Sequence, residues 1–141
     1  MITNDQRQSL IQQAISVRQR AYAPYSQYQV GAALLTDSGK VYLGVNIENA
    51  AYPTGICAER VAVFKAVSEG EMHFTAIAVA TSNGGTPCGS CRQVLAEFGL
   101  DTLVLIVNAA GQVVMESTVA GLLPGSFRPQ DLPGFTKPEQ E

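Results

Sequence analysis

The stretch from residue 57 to residue 92 opens with the tetrapeptide CAER (residues 57–60) and closes with the hexapeptide PCGSCR (residues 87–92). It holds all three cysteines of the chain, Cys57, Cys88 and Cys91. Two thiolates separated by two residues can bind one metal ion, and a remote third thiolate can complete a Cys₃ set. Structural zinc sites usually have four protein ligands, whereas catalytic sites keep a position for water. Because Glu59 could move protons for such a water, the pattern predicts a zinc hydrolase.

The three cysteines could also serve simpler roles. Cys88 and Cys91 alone could form a redox pair, and buried free cysteines often serve only as small apolar residues. Neither role accounts for the close spacing of Cys57 and Glu59. A closed Cys₃His structural site would need the single histidine, His73. The helix predicted to begin at Cys57 would carry His73 away, because about 13 helical residues rise roughly 20 Å. We therefore favour an open catalytic site and expect His73 at the surface, before a strand.

Both cysteine segments precede predicted helices, whose N-terminal N–H groups and positive dipole ends stabilise thiolates. Zn²⁺ bound by three thiolates carries a net negative charge and is a poor Lewis acid unless that charge is offset. Arg60 follows Cys57 by three residues and shares its helical face, so we predict that it hydrogen-bonds the thiolates and withdraws charge from them. An exposed arginine is the ordinary alternative. Arg92 is a second candidate for the same task.

The composition indicates one globular domain with a substantial core. The chain has 141 residues, of which 46% are hydrophobic, and its net charge is 9 − 12 = −3. This balance argues against a basic nucleic-acid-binding surface and suits a small soluble substrate. No signal-peptide core or membrane-spanning run is visible, and three cysteines are an unsuitable number for a disulfide framework. We expect a cytoplasmic protein with neither nucleic acid nor membrane as partner.

Hydrophobic periodicity predicts the element order α-β-β-α-β-α-β-β, followed by a short helix. Strands alternating with helices in mid-chain predict an α/β fold with a sheet covered on both faces. We expect a single domain over residues 1–127 and a polar tail over residues 128–141. The predicted helices span residues 4–21, 57–70, 88–98 and 119–123, and the predicted strands span residues 28–36, 41–45, 74–81, 103–107 and 112–116.

The second predicted strand ends in the polar cluster Asn46, Glu48 and Asn49. Such residues could line a ligand pocket. Asparagine also bonds readily to its own backbone, so composition alone favours a hydrogen-bonded turn.

Six stretches, taken in order, resemble the cytidine deaminase family in its short, single-domain, three-cysteine form. They are APYS (23–26), VGAAL (30–34), NIENA (46–50), GICAER (55–60), PCGSCR (87–92) and LLPGSF (122–127). The resemblance covers nearly the whole chain. It implies a three-layer αβα sandwich with a mixed sheet of about five strands and one Zn²⁺ per subunit. It also implies deamination of cytidine, and of 2′-deoxycytidine, in pyrimidine salvage.

The resemblance further implies roles for particular residues. Cys57, Cys88 and Cys91 would hold Zn²⁺, and Glu59 would take a proton from water and deliver protons to N3 and to the departing amine. The backbone N–H of Ala58 would hold the pyrimidine O2.

Substrate-binding roles also follow from the resemblance. Asn46 and Glu48 would bind the ribose 3′-hydroxyl, which reverses the expectation of a simple turn. Tyr28 aligns with a position that is usually phenylalanine near the substrate. Tyr52 and Phe127 match positions that family members insert into a neighbouring subunit's site, which implies a homotetramer with shared active sites.

Three alternative functions are open at this point. The chain could deaminate another cytosine nucleoside such as blasticidin S, although Glu48 favours an ordinary nucleoside because it offers an acceptor for a ribose hydroxyl. A polynucleotide-editing deaminase is disfavoured by the acidic charge balance. From another class, the chain could be a zinc-stabilised binding module without catalytic activity.

Overall fold

The computed structural model describes residues 1–138, and its elements follow the predicted order. The helices are α1 (Asn4–Val17), α2 (Ala58–Ser68), α3 (Gly89–Phe98) and α4 (Val119–Leu122). The strands are β1 (Gly31–Thr36), β2 (Val41–Val45), β3 (Phe74–Ala80), β4 (Leu103–Val107) and β5 (Val113–Thr118). Short 3-10 helices span Arg18–Arg20, Tyr52–Thr54 and Pro129–Asp131.

The five strands form one mixed sheet in the order β2-β1-β3-β4-β5. Strand β3 is parallel to β4, to which α3 connects it, and the other neighbouring pairs are antiparallel. Because successive side chains of a strand point to opposite faces, β1 contributes to two cores. Ala32 and Leu34 pack with residues of α2 and α3, whereas Ala33 and Leu35 pack with α1. The sheet is thus covered on both faces, and the predicted three-layer αβα sandwich is confirmed.

Several element boundaries differ from the sequence prediction, two of them by three residues or more for local reasons. Helix α1 opens with the predicted capping box at Thr3 but gives way after Val17 to a 3-10 turn, where the Arg18 side chain donates to the carbonyl of Gln29. Strand β1 begins at Gly31 rather than at residue 28. The backbone before it is bound by the Asn46 side chain instead of by a neighbouring strand.

The segment predicted to be a polar tail contains the 3-10 helix Pro129–Asp131. His73 is exposed directly before β3, as expected, and its Nε2 lies 3.4 Å from Lys137 Nζ. Residues 139–141 of the predicted tail lie outside the described part of the chain. Among the helices within residues 1–138, none combines the length and the apolar character needed to cross a membrane.

Candidate active site

A cavity of about 770 Å³ lies at the end of the sheet where β1 begins and where β2 and β3 end. Its walls come from four segments, within residues 25–30, 46–49, 52–60 and 79–88. A volume of this size is typical of sites for small organic ligands. Among the described residues, the chain therefore collects both cysteine segments and the polar cluster after β2 around one cavity.

Helix α2 reaches this cavity because it packs directly on β2. A Cβ atom at Gly44 would lie 2.2 Å from the carbonyl oxygen of Ala58, so only glycine permits the approach. Cys57 is the N-cap of α2, and its extended backbone (φ −78°, ψ 153°) turns the chain into the helix. The close packing at Gly44 thus fixes the start of α2, and with it Cys57, beside the end of β2.

The three cysteine sulfur atoms converge, with every pair within 4.8 Å. Cys88 is the N-cap of α3, and Cys91 lies in its first turn, fully buried. Cys57 Sγ is 3.8 Å from Cys88 Sγ, which is 3.5 Å from Cys91 Sγ. Tetrahedral thiolates at about 2.3 Å from a zinc ion lie roughly 3.8 Å apart. The sulfur group therefore fits one Zn²⁺, and within residues 1–138 it comprises these three cysteines without a histidine.

Arg60 contacts the sulfur group as predicted. Its Nη2 donates to Cys57 Sγ at 3.4 Å, whereas its Nε is buried without a hydrogen-bond partner among the described residues. The neighbouring Cys91 thiol, and then the Arg60 guanidinium, lower the pKa of Cys57 to about 5. Contact with Cys57 raises the pKa of Cys91 above its ordinary value. Arg60 therefore favours the thiolate form of Cys57, the sulfur atom that it contacts.

Glu59 lies in the first turn of α2 and lines the cavity, although only 4% of its surface is exposed. Burial raises the pKa of Glu59, and the charge on nearby Cys57 acts in the same direction. Ala58 is fully buried as the first residue of α2. Its N–H is one of those that a helix leaves without an intrahelical acceptor. The Glu59 carboxyl and the Ala58 N–H thus both belong to the first turn of α2, directly after Cys57.

Asn46 and Glu48 line the same cavity and hold the loop between α1 and β1. Asn46 accepts from the N–H of Val30 at 2.8 Å and donates to the carbonyl of Tyr28 at 2.8 Å. Glu48 accepts from the N–H groups of Tyr25 and Ser26 at 3.0 and 3.1 Å and from the Ser26 hydroxyl. These bonds, the Ser26 hydroxyl first, hold the pKa of Glu48 below its ordinary value. Both side chains are therefore bound to the chain itself in this structure.

The three aromatic residues singled out from the sequence occupy different positions. Tyr28 lines the cavity and donates from its hydroxyl to Asn83 Oδ1 at 2.7 Å. Tyr52 also lines the cavity but is 75% exposed, and its ring is edge-on to Tyr25 at a centroid distance of 5.7 Å. Phe127 is 59% exposed and does not line the cavity of its own chain. Its carbonyl accepts from Gln93 Nε2 of α3 at 2.8 Å.

Arg92 braces the backbone around the cysteines instead of contacting a sulfur atom. Its guanidinium donates to the carbonyls of Pro87 and Leu122 at 2.8 and 2.7 Å, and to Thr86 Oγ1 at 3.1 Å. This bracing role was not expected from the sequence. Nor was the contact of Ser26 with Glu48, although Ser26 lies in the APYS stretch that resembles the family.

An open Cys₃ group beside a buried carboxyl is the arrangement of a catalytic zinc centre rather than a structural one. The same class follows from comparison with known proteins. The family model described as the cytidine and deoxycytidylate deaminase zinc-binding region matches residues 4–107. The chain therefore belongs to this zinc-binding deaminase family.

Individual relatives cover almost the whole chain. It is 49% identical to the cytidine deaminase of Sporosarcina psychrophila over 128 residues, which are 89% of this chain and 93% of that protein. It is 52% identical to the cytidine deaminase of Halalkalibacterium halodurans over 129 residues, with coverages of 89% and 97%. A 1.6 Å crystal structure of cytidine deaminase from Burkholderia pseudomallei matches with a TM-score of 0.81 and 44% identity, covering 89% of this chain and 100% of that one. The resemblance noted in the sequence and the predicted fold are both confirmed.

Proposed function

We propose that this enzyme hydrolyses cytidine and 2′-deoxycytidine to uridine and 2′-deoxyuridine, with release of ammonia, as a step of pyrimidine salvage. The observation that carries the proposal is the buried Glu59 carboxyl beside three converging sulfur atoms, inside a cavity large enough for a nucleoside. The names of the relatives support the same substrate class. The acceptor oxygens of Glu48 favour an ordinary nucleoside over blasticidin S.

Cys57, Cys88 and Cys91 would hold the metal ion. Bound Zn²⁺ would lower the pKa of a water molecule toward neutrality, which makes a nucleophile available at physiological pH. Arg60 would offset the thiolate charge from its position against Cys57 Sγ.

Glu59 would carry the protons. It would accept one proton from the water whose oxygen bonds to C4 of the ring and deliver that proton to N3. It would then take the second proton of the former water from the hydroxyl group on C4 and deliver it to the exocyclic nitrogen. The C4–N bond then breaks, and ammonia leaves. A carboxyl with a raised pKa suits this exchange better than an ordinary one, because the pKa of a proton-transfer catalyst is best placed close to the working pH.

The remaining predicted residues would hold the substrate. The Ala58 N–H would bind the pyrimidine O2, Asn46 and Glu48 would bind the ribose 3′-hydroxyl, and Tyr28 would present its ring to the base. To bind ribose, Glu48 would share or exchange the hydrogen bonds it now receives from the loop at Ser26.

We also propose a homotetramer in which Tyr52 and Phe127 complete a neighbouring subunit's site. Their exposure on the isolated chain supports this assembly, since large exposed aromatic residues are typical of interfaces. Light scattering on the purified protein should give a mass of about four subunits. A stable, fully active monomer would refute shared sites.

We further propose that residues 1–127 form the catalytic domain, that residues 128–141 are a tail, and that the enzyme works in the cytoplasm. A reducing compartment suits this cytoplasmic assignment because it keeps thiols available for a metal.

An ultraviolet assay of cytidine loss, paired with metal analysis of the same sample, tests the function. We expect turnover of cytidine and 2′-deoxycytidine with one Zn²⁺ per subunit. Zinc retention without turnover of any cytosine nucleoside would instead indicate a zinc-stabilised binding module.

A further inference from the structure

The hydroxyl group of Tyr28 is built into a network on the cavity wall. It donates to Asn83 Oδ1 at 2.7 Å, and the hydroxyl of buried Thr81 lies 3.5 Å from the same oxygen. Thr81 Oγ1 also accepts from the N–H of Gly85 at 2.8 Å. A Cβ atom at Gly85 would lie 2.3 Å from the Tyr28 hydroxyl oxygen, so the hydroxyl occupies the space that glycine leaves free.

The backbone of Tyr28 is held by a different set of residues. Its N–H donates to Ser26 Oγ at 3.0 Å, and its carbonyl accepts from Asn46 Nδ2 at 2.8 Å. Ser26 is also the hydroxyl donor to Glu48. One end of Tyr28 is therefore bonded to the groups that would receive ribose. The other end is bonded to the loop over residues 82–87, which leads directly into Cys88.

We propose that the Tyr28 hydroxyl is a positioning group that links the ribose-binding wall to the loop before Cys88. The link fixes the aromatic ring at one angle and one depth, so that the ring is already placed for the cytosine base when the substrate enters. This inference rests on the proposed function. A phenylalanine would offer the same ring without the link, so the effect belongs to the hydroxyl and its partner.

A double-mutant cycle isolates the link. The variants are Tyr28→Phe, Asn83→Ala and the two combined, with steady-state kinetics on cytidine and zinc content for each. Loss of one hydrogen bond should raise KM about fivefold and leave kcat within about twofold. The KM of the double variant should be no higher than that of the single variant with the higher KM, because both changes remove the same bond. Tyr22→Phe is the matched control, since it removes an exposed hydroxyl outside the cavity lining and should leave KM unchanged.

Gly85→Ala gives a steric test of the same contact. The added methyl group meets the Tyr28 hydroxyl oxygen at 2.3 Å but the ring carbon beneath it at 3.5 Å, which is an ordinary contact distance. Gly85→Ala should therefore raise KM by itself, and adding Tyr28→Phe should bring KM down again.

These outcomes separate this inference from the proposed function. If wild-type enzyme deaminates no cytosine nucleoside, the proposed function fails and the inference fails with it. If the wild type is active but Tyr28→Phe has a normal KM, only the inference is overturned. Independent, multiplicative effects of the two single variants would overturn it as well. So would a loss of thermal stability or zinc with KM unchanged.

Discussion

The two carboxylates of the cavity, Glu59 and Glu48, have opposite environments and opposite pKa shifts. Glu59 is buried at the start of α2 beside the sulfur atoms, and burial raises its pKa. Glu48 receives two backbone N–H groups and the Ser26 hydroxyl, and these donors lower its pKa. Desolvation disfavours a charged carboxylate, whereas hydrogen-bond donors favour it. One glutamate is thereby suited to hold a proton and the other to remain an acceptor.

Under the proposed function, this difference divides the cavity into a chemical end at the sulfur atoms and a binding end at Asn46 and Glu48. At the sulfur end, the cysteines and Glu59 lie at the N-termini of α2 and α3, two helices that pack on the core of the fold. At the other end, Asn46 and Glu48 are held by bonds to the loop over residues 22–30. Substitutions at the first end should therefore change kcat, and substitutions at the second should change KM.

The largest effect is expected for Glu59→Gln. The amide keeps the shape of the side chain but cannot carry a proton between water and the ring, so kcat should fall at least about 10³-fold. Zinc content and folding should be retained. Glu69→Gln, at the opposite end of α2, is the control and should be fully active. A near-normal rate for Glu59→Gln would show that another group moves the proton.

Glu48→Gln should act mainly on binding. An amide is a weaker acceptor for a ribose hydroxyl than a carboxylate, and we expect KM to rise about 10-fold to 100-fold with a smaller change in kcat. The control is Glu71→Gln, because Glu71 also accepts from a serine hydroxyl and also has a lowered pKa, but lies outside the cavity. If kcat fell while KM stayed constant, the division into two ends would be wrong.

Arg60→Ala should have an intermediate effect at the sulfur end. Without the guanidinium, the thiolates keep their full charge and the metal is a poorer Lewis acid, so activity should fall roughly tenfold or zinc should be lost more easily to a chelator. Turnover and zinc content measured after dialysis would show this. Arg7→Ala is the control, since Arg7 pairs with Glu116 away from the cavity. Unchanged turnover and metal content in Arg60→Ala would reject the role.

The smallest effect is expected for the ion pair between Arg7 and Glu116, which lies away from the cavity. The pKa of this carboxylate is also lowered, but we expect it to have no part in catalysis. Arg7 donates to both oxygens of Glu116 at 2.8 Å, which holds the pKa of Glu116 below its ordinary value of 4.5. The ionised pair stabilises the folded chain above about pH 4.5, and its contribution is lost as the pH falls through the lowered pKa. Because the pair is exposed, Glu116→Gln should lower the free energy of unfolding by less than about 1 kcal/mol at pH 7.

Urea unfolding of wild type and Glu116→Gln at pH 7 and at pH 3.5 measures this contribution. The difference between the two chains should shrink at the lower pH, and turnover should be equal at pH 7. A difference that grew on acidification would contradict the sign of the pKa shift.

Local patterns were sufficient for the elements and for the chemical end of the site. The capping box at Thr3, the hairpin turn between β1 and β2, and the helix starts at Cys57 and Cys88 depend on neighbours within a few residues. Their positions could therefore be predicted from the chain. Arg60 could be assigned to the sulfur group because one helical turn separates it from Cys57.

The binding end could not be assigned from local patterns, because its contacts join distant segments. Asn46 bonds to the backbone of the loop, as composition favoured, and it also lines the cavity, which composition did not indicate. The role of Arg92 depends on Leu122, which is 30 residues away, and the Tyr28 hydroxyl depends on Asn83, which is 55 residues away.

The order of the elements, the grouping of the three cysteines and the family could thus be read from the sequence, since each follows from short spacings and motifs. Only the tertiary structure decided that Glu59 is buried whereas Glu48 is hydrogen-bonded to a loop. It also decided which groups the side chains of Arg92 and Tyr28 contact. Burial and long-range hydrogen bonds arise when the sheet brings the ends of β1, β2 and β3 together, and no local stretch of the chain specifies that meeting.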